Sequence, residues 1–183
     1  MKLVRSWPAE IPEGRGYVMD DIERLVMDGY DYRCLADVGD DVVLIEWDIA
    51  VGGEDLELFM ARCAENPAQV RVAPYLLYPA STRAKKPFYV HRYREGGRNV
   101  YVTGPEYDIC HQFGFGLVYI PRNLILKFVE HLNAQPMHRK FSDTTFSYWH
   151  FRNAPRENRR VPIDWDVKLV HLHYDMPEVP DVR

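Results

Sequence analysis

The run Asp41-Val-Val-Leu-Ile-Glu46 constrains this chain more than any other segment. A continuous apolar stretch bounded by acids predicts a central strand covered on both faces, whereas a surface strand would alternate apolar and polar residues. Glu46, Trp47 and Asp48 then stand at its carboxyl end, the edge at which open α/β sheets bind ligands.

The chain can build a core around such a strand. It has 183 residues, 46% hydrophobic and 13% aromatic, which is about one domain and excludes disorder as its main state. The longest apolar stretches, Val42–Ile45 and Gly116–Ile120, fall far short of the roughly 20 residues of a membrane span, and the N-terminus lacks a signal pattern. Lys and Arg total 23 against 27 Asp and Glu, a net charge of −4, so no global positive field is available to hold a polyanion. Nucleic acid is therefore not the favoured partner. Cys34, Cys63 and Cys110 are odd in number and in no CxxC spacing, which argues against a disulfide framework or a thiolate zinc site. The expectation is a soluble, cytoplasmic protein.

Residues 8–17 read as a Pro/Gly loop, and Asp20 as the cap of a short helix carrying Ile22, Leu25 and Val26, closed by Gly29. After the Gly52-Gly53 break, Leu56, Phe59, Met60 and Cys63 recur at helical spacing until Asn66-Pro67. Val70 and Val72 mark another strand, completing a strand–helix–strand unit. Residues 88–93 and 99–103 flank Glu95-Gly-Gly-Arg98 and predict a β-hairpin. Gly114-Phe-Gly116 leads into strand 117–120, with Pro121 in the first helical position ahead of Leu124, Ile125, Phe128, Val129 and Leu132. A short helix over 141–148, capped by Ser142 or Asp143, a basic loop over 153–160 and a last strand over 167–173 complete residues 1–175 as one domain. Residues 176–183 form a Pro-rich tail.

Three features carry chemistry. Glu46 and Asp48 offer hard oxygen ligands suited to Mn²⁺ or Mg²⁺, although acids so placed also cap helices or face solvent. His171 and His173, at i and i+2 of an extended strand, project from one face and suit mixed carboxylate–imidazole ligation; paired strand histidines are also often simply hydrogen-bonded. Asp143, at a helix start followed by aromatics, can act as general base on a hydroxyl or serve only as a cap.

In this order the features resemble GT-A nucleotide-sugar glycosyltransferases over roughly residues 40–175. The carrying elements are Glu46-Trp47-Asp48, the following helix, Gly114 to Arg122, Asp143 to Trp149, and His171 to His173. The resemblance implies a GT-A-like single domain, a mixed central sheet flanked by helices with a β-hairpin insertion. It implies Asp48 with His171 or His173 on the metal, and Glu46 on the ribose or on the metal through water. Trp47, Gly114, Gly116 and Arg92 would border the donor, with Asp143 the base of an inverting transfer to an acceptor. Only 45 residues precede Glu46, so the nucleotide half would be abbreviated, with Trp7, Tyr17 or Tyr30 stacking on the base, or missing. Ser81–Arg98 holds six cations against the single acid Glu95 and supports a different expectation, a non-catalytic module gripping an acidic partner or nucleic acid. A phosphoryl or nucleotidyl transferase shares the acid pair but would lack a P-loop here.

Overall fold

The computed structural model describes residues 1–11, 16–77, 87–135 and 140–172. The chain opens with β1 (Lys2–Pro8), β2 (Arg24–Met27), a 3₁₀ helix (Tyr32–Val38), β3 (Val42–Ile45), β4 (Ile49–Val51) and α1 (Gly53–Glu65). Short strands follow as β5 (Arg71–Val72), β6 (Leu76–Leu77), β7 (Phe88–Tyr89), β8 (Arg92–Glu95), β9 (Arg98–Tyr101) and β10 (Ile109–Cys110). The last part holds β11 (Leu117–Ile120), α2 (Arg122–Asn133), α3 (Asp143–Asn153), β12 (Val161–Pro162) and β13 (Leu169–His171).

A five-stranded mixed sheet in the order β2-β1-β3-β11-β5 organises the fold. β1 runs parallel to both β2 and β3, and β11 is antiparallel to β3 and β5. All four residues of β3 are 0% exposed, as its unbroken apolar run requires. One face packs Val42, Leu44, Val118 and Ile120 against α2 and α3 through Ile125, Phe128 and Phe146. The other packs Val43, Ile45, Leu117 and Tyr119 against Phe59 and Cys63 of α1. The three cysteines are free thiols, as their spacing predicts. Among the described residues no helix is long and apolar enough to cross a membrane.

Helix ends are closed by side chains the sequence places nearby. Ser142 caps α3, accepting from Thr145 N at 3.2 Å while Thr145 Oγ1 accepts from Ser142 N at 2.9 Å. Pro121 sits one position before α2, and the exposed Arg122 N–H donates to Asp41 at 2.8 Å. The hairpin β8–β9 turns on Gly96 and Gly97 with φ of 53° and 83°, a two-residue loop that only left-handed conformations close.

The first thirty residues correct the expectation. No helix starts at Asp20: residues 24–27 form the edge strand β2, pairing Trp7 with Val26. The i, i+3, i+4 spacing of Ile22, Leu25 and Val26 is too short to separate helix from strand, and pairing with β1 decides it. Asp20 instead binds Arg5, which is 1% exposed and accepts no solvent contact to speak of. Arg5 Nε donates to Asp20 Oδ2 at 2.9 Å, and Nη1 donates to the carbonyls of Glu46 and Ile49 at 2.7 and 2.9 Å. One guanidinium thus clamps the turn between β3 and β4. Arg5→Ala should cost about 3–5 kcal/mol by stranding these partners in the interior. Urea denaturation checks this, and a loss below about 1 kcal/mol would show that the clamp is dispensable.

Candidate active site

β1, β2 and β3 run parallel, so their carboxyl ends open on one edge of the sheet, and the β3–β4 turn carries Glu46-Trp47-Asp48 there. β13 reaches the same place by pairing antiparallel with β4, setting His171 opposite Ile49. His171 Nε2 lies 3.3 Å from Asp48 Oδ2, and both side chains are buried. Leu172 N also donates to the Asp48 carbonyl at 2.7 Å. Two segments 123 positions apart therefore bring an imidazole and a carboxylate together. His173 lies outside the described residues, as do residues 176–183 and the cations Arg83, Lys85 and Lys86.

Glu46 is half-buried, and its Oε1 accepts from the Tyr32 hydroxyl at 2.8 Å. Burial, then the charges of Asp48 and Asp143, push its pKa up to about 8. Asp143, the first residue of α3, has its pKa raised by burial, opposed by hydrogen bonds from Thr144. Tyr75 stands among the three acids, all of which raise its pKa beyond the effect of burial itself. Its ring stacks on His171 at 5.5 Å and meets His91 edge-on at 6.0 Å. His91 Nε2 donates to the Ala73 carbonyl at 3.0 Å, and burial lowers its pKa to about 4, which keeps it neutral.

Gly114 and Gly116 serve this tyrosine. A Cβ on Gly116 would lie 2.5 Å from Tyr75 Cδ1 and Cε1, and one on Gly114 would meet the Tyr75 hydroxyl and Val90 Cγ2. The space that their missing side chains leave is filled by protein, in place of the sugar expected there. Gly116 also accepts from Glu46 N at 3.0 Å, fixing the acidic turn. Gly114, Arg92 and Asp143 line a cavity of about 200 Å³. Arg92 donates to the Tyr101 hydroxyl at 2.6 Å across that cavity's rim. Trp47 is 2% exposed and contributes packing plus a carbonyl that accepts from Val18 N at 3.0 Å. Trp7 and Tyr17 meet edge to face at 5.5 Å, with Arg24 over the Trp7 ring at 4.1 Å, whereas Tyr30 is exposed in a separate turn.

Sequence reasoning missed Arg5, Tyr32 and Tyr75. The paired glycines at i and i+2, just ahead of β11, are the signal that a large ring lies against that stretch of backbone.

No protein-family model matches the chain, and no curated protein does. Among solved structures, A197 from STIV is similar over 100% of this chain and 98% of its own, with a TM-score of 0.54 and 15% identity. That likeness is one of fold. Membership of the GT-A glycosyltransferases, implied by the order of motifs, is overturned: no family of that kind matches. The motifs are short, and several are accounted for by packing, as the two glycines are. What stands is a mixed α/β fold with acids, an imidazole and phenols gathered at one edge of its sheet.

As a metal centre, this edge offers Asp48 and His171, with Glu46 beside them. Among the described residues no group of three or more His, Cys, Asp or Glu side chains is placed to hold a metal ion. One carboxylate and one imidazole would suit Mn²⁺ better than Mg²⁺, and would leave most coordination positions to ligand oxygens and water.

Two outcomes follow. Gly116→Ala should lose about 1–3 kcal/mol through overpacking against Tyr75, read by thermal denaturation. Since the Glu46 pKa rises on folding, from 4.5 to about 8, its contribution to stability is present at low pH and lost as pH rises through that window. Glu46→Gln should therefore match wild type near pH 5 and exceed it by about 1–3 kcal/mol near pH 8.5. A pH-independent difference would show that Glu46 is ionised throughout.

Proposed function

We propose that this sheet edge binds a nucleoside-diphosphate sugar with a divalent cation and transfers the sugar to an acceptor hydroxyl. The observation that carries the reading is the 3.3 Å approach of the buried His171 to the buried Asp48, beside Glu46, at the carboxyl ends of parallel strands. Asp48 and His171 would hold Mn²⁺ or Mg²⁺, and Glu46 would meet the ribose or a metal-bound water. Such a cation would supply positive charge to the departing diphosphate.

The chain's own residues have separable tasks. Trp7 and Tyr17 offer aromatic faces to the nucleobase, near enough to the acidic turn that Val18 bonds Trp47. Tyr75 holds His171 in orientation by stacking. Asp143, in the wall of the adjoining cavity, accepts the proton of the acceptor hydroxyl as its oxygen bonds to the anomeric carbon; the sugar–phosphate bond breaks and its electrons leave with the diphosphate. Partial burial suits it by raising its basicity. A base acting from the face opposite the leaving group gives inversion.

Nucleoside diphosphates with Mn²⁺ should raise the melting temperature, and metal alone should raise it less. Asp48→Asn and His171→Ala should each remove most of that response while retaining the fold. Asp143→Asn should keep binding and lower transfer at least about 100-fold. If no nucleoside diphosphate stabilises the protein with Mn²⁺ or Mg²⁺, and no nucleotide sugar is turned over, the reading fails.

A further inference from the structure

Arg94, His111 and Arg152 meet in a second cavity, of about 230 Å³, between the β8–β9 hairpin and the second half of α3. No carboxylate lines it. Each guanidinium rests over an aromatic ring: Arg94 lies 5.4 Å from the centre of Phe151, and Arg152 lies 4.5 Å from that of Tyr148. This stacking holds the planar forks while leaving their N–H groups to bond elsewhere. Neither forms an ion pair among the described residues, whereas Arg5, Arg62 and Arg71 are each bound to an aspartate.

Neutral donors face the same space. His111 Nδ1 accepts from Arg94 N at 3.2 Å, which leaves the ring proton on Nε2. Burial, then the charges of Arg160 and Arg94, lower the His111 pKa, which favours the neutral ring. Asn99 Nδ2 donates to Gln112 Oε1 at 3.3 Å and fixes the Gln112 amide with its nitrogen as donor. Gln112 also lines the cavity that holds Asp143, so the two spaces adjoin.

We infer that this second cavity binds the phosphate monoester of a small phosphorylated molecule, whose remainder extends past Gln112 toward Asp143. Forked guanidiniums and neutral N–H donors without a carboxylate are the chemistry that recognises a phosphate dianion. The enclosed volume and the net charge of −4 favour a small ligand over a nucleic-acid strand, which needs an extended basic track. The inference stands on these cations alone, whatever the Asp48–His171 crevice acts on.

Titration of the full chain with glycerol 3-phosphate, followed by amide NMR and calorimetry, tests it. Saturable shifts should centre on Gly97, Asn99 and His111, and Arg94→Gln and Arg152→Gln, both exposed positions, should each weaken binding about tenfold. Arg94→Lys should fall between, because it keeps the charge and loses the fork. Asp48→Asn should bind as wild type does, which separates this site from the metal centre. Absence of saturation, or wild-type affinity in both arginine variants, would overturn the inference. Saturation by orthophosphate with the monoester excluded would overturn the monoester assignment. Binding of an oligothymidylate instead, with affinity falling steeply with salt, would assign the surface to nucleic acid.

Discussion

Arg5 enters the sheet fully buried and its one guanidinium binds three groups from two other parts of the chain: the Asp20 carboxylate and the carbonyls of Glu46 and Ile49 at the β3–β4 turn. A buried cation is tolerable only with such partners, and the partners are then fixed in return. The turn between β3 and β4 is consequently rigid where it carries Glu46 and Asp48. β4 extends from that turn and pairs with β13, so the same clamp sets where His171 arrives. Remove the clamp and the acids lose their common direction.

Rigidity has an electrostatic cost at this edge. Glu46, Asp48 and Asp143 lie close enough to raise one another's or their neighbours' proton affinity, and Tyr32 and Tyr75 respond in the same sense. Without a cation, the least costly state keeps a proton on Glu46 near neutral pH. Under the proposed reading, a divalent ion would relieve the same crowding by displacing that proton. Opposite charge is segregated: the arginines around β8, β9 and α3 stack on aromatic rings and leave their charge to the adjoining cavities. Arg92 and Asp143 line one cavity, so the acidic edge and these arginines meet there.

Much of this was legible because it is local. The unbroken run 42–45 announces a buried strand, α1 and α2 follow apolar periodicity, Ser142 stands where one of two expected caps should, and Gly96-Gly97 spell a tight hairpin. The Asp48–His171 meeting was a bet on which strands pair, and β4–β13 pairing places those side chains together. β1 was not legible: its charged Arg5 reads as a surface residue, and only the distant carbonyls and Asp20 make it a core one. β2 was misjudged because four residues carry no decisive period. Tyr75 was missed for a related reason. Its role depends on the flat patch of Gly114 and Gly116, residues about 40 positions away whose meaning is an absence of side chain. The family resemblance failed because motif order records which chemistries are present, and unrelated sequences can share that order.

The central claim is that oxygen from the β3–β4 turn and nitrogen from β13 converge on one cation that also holds a diphosphate. Pulsed electron paramagnetic resonance on Mn²⁺ bound with a nucleoside diphosphate reads this directly. The account predicts a ¹⁴N coupling from a single imidazole that disappears in His171→Ala, together with ³¹P couplings from the diphosphate. Phosphorus couplings without nitrogen, or a nitrogen signal that survives removal of His171, would contradict it.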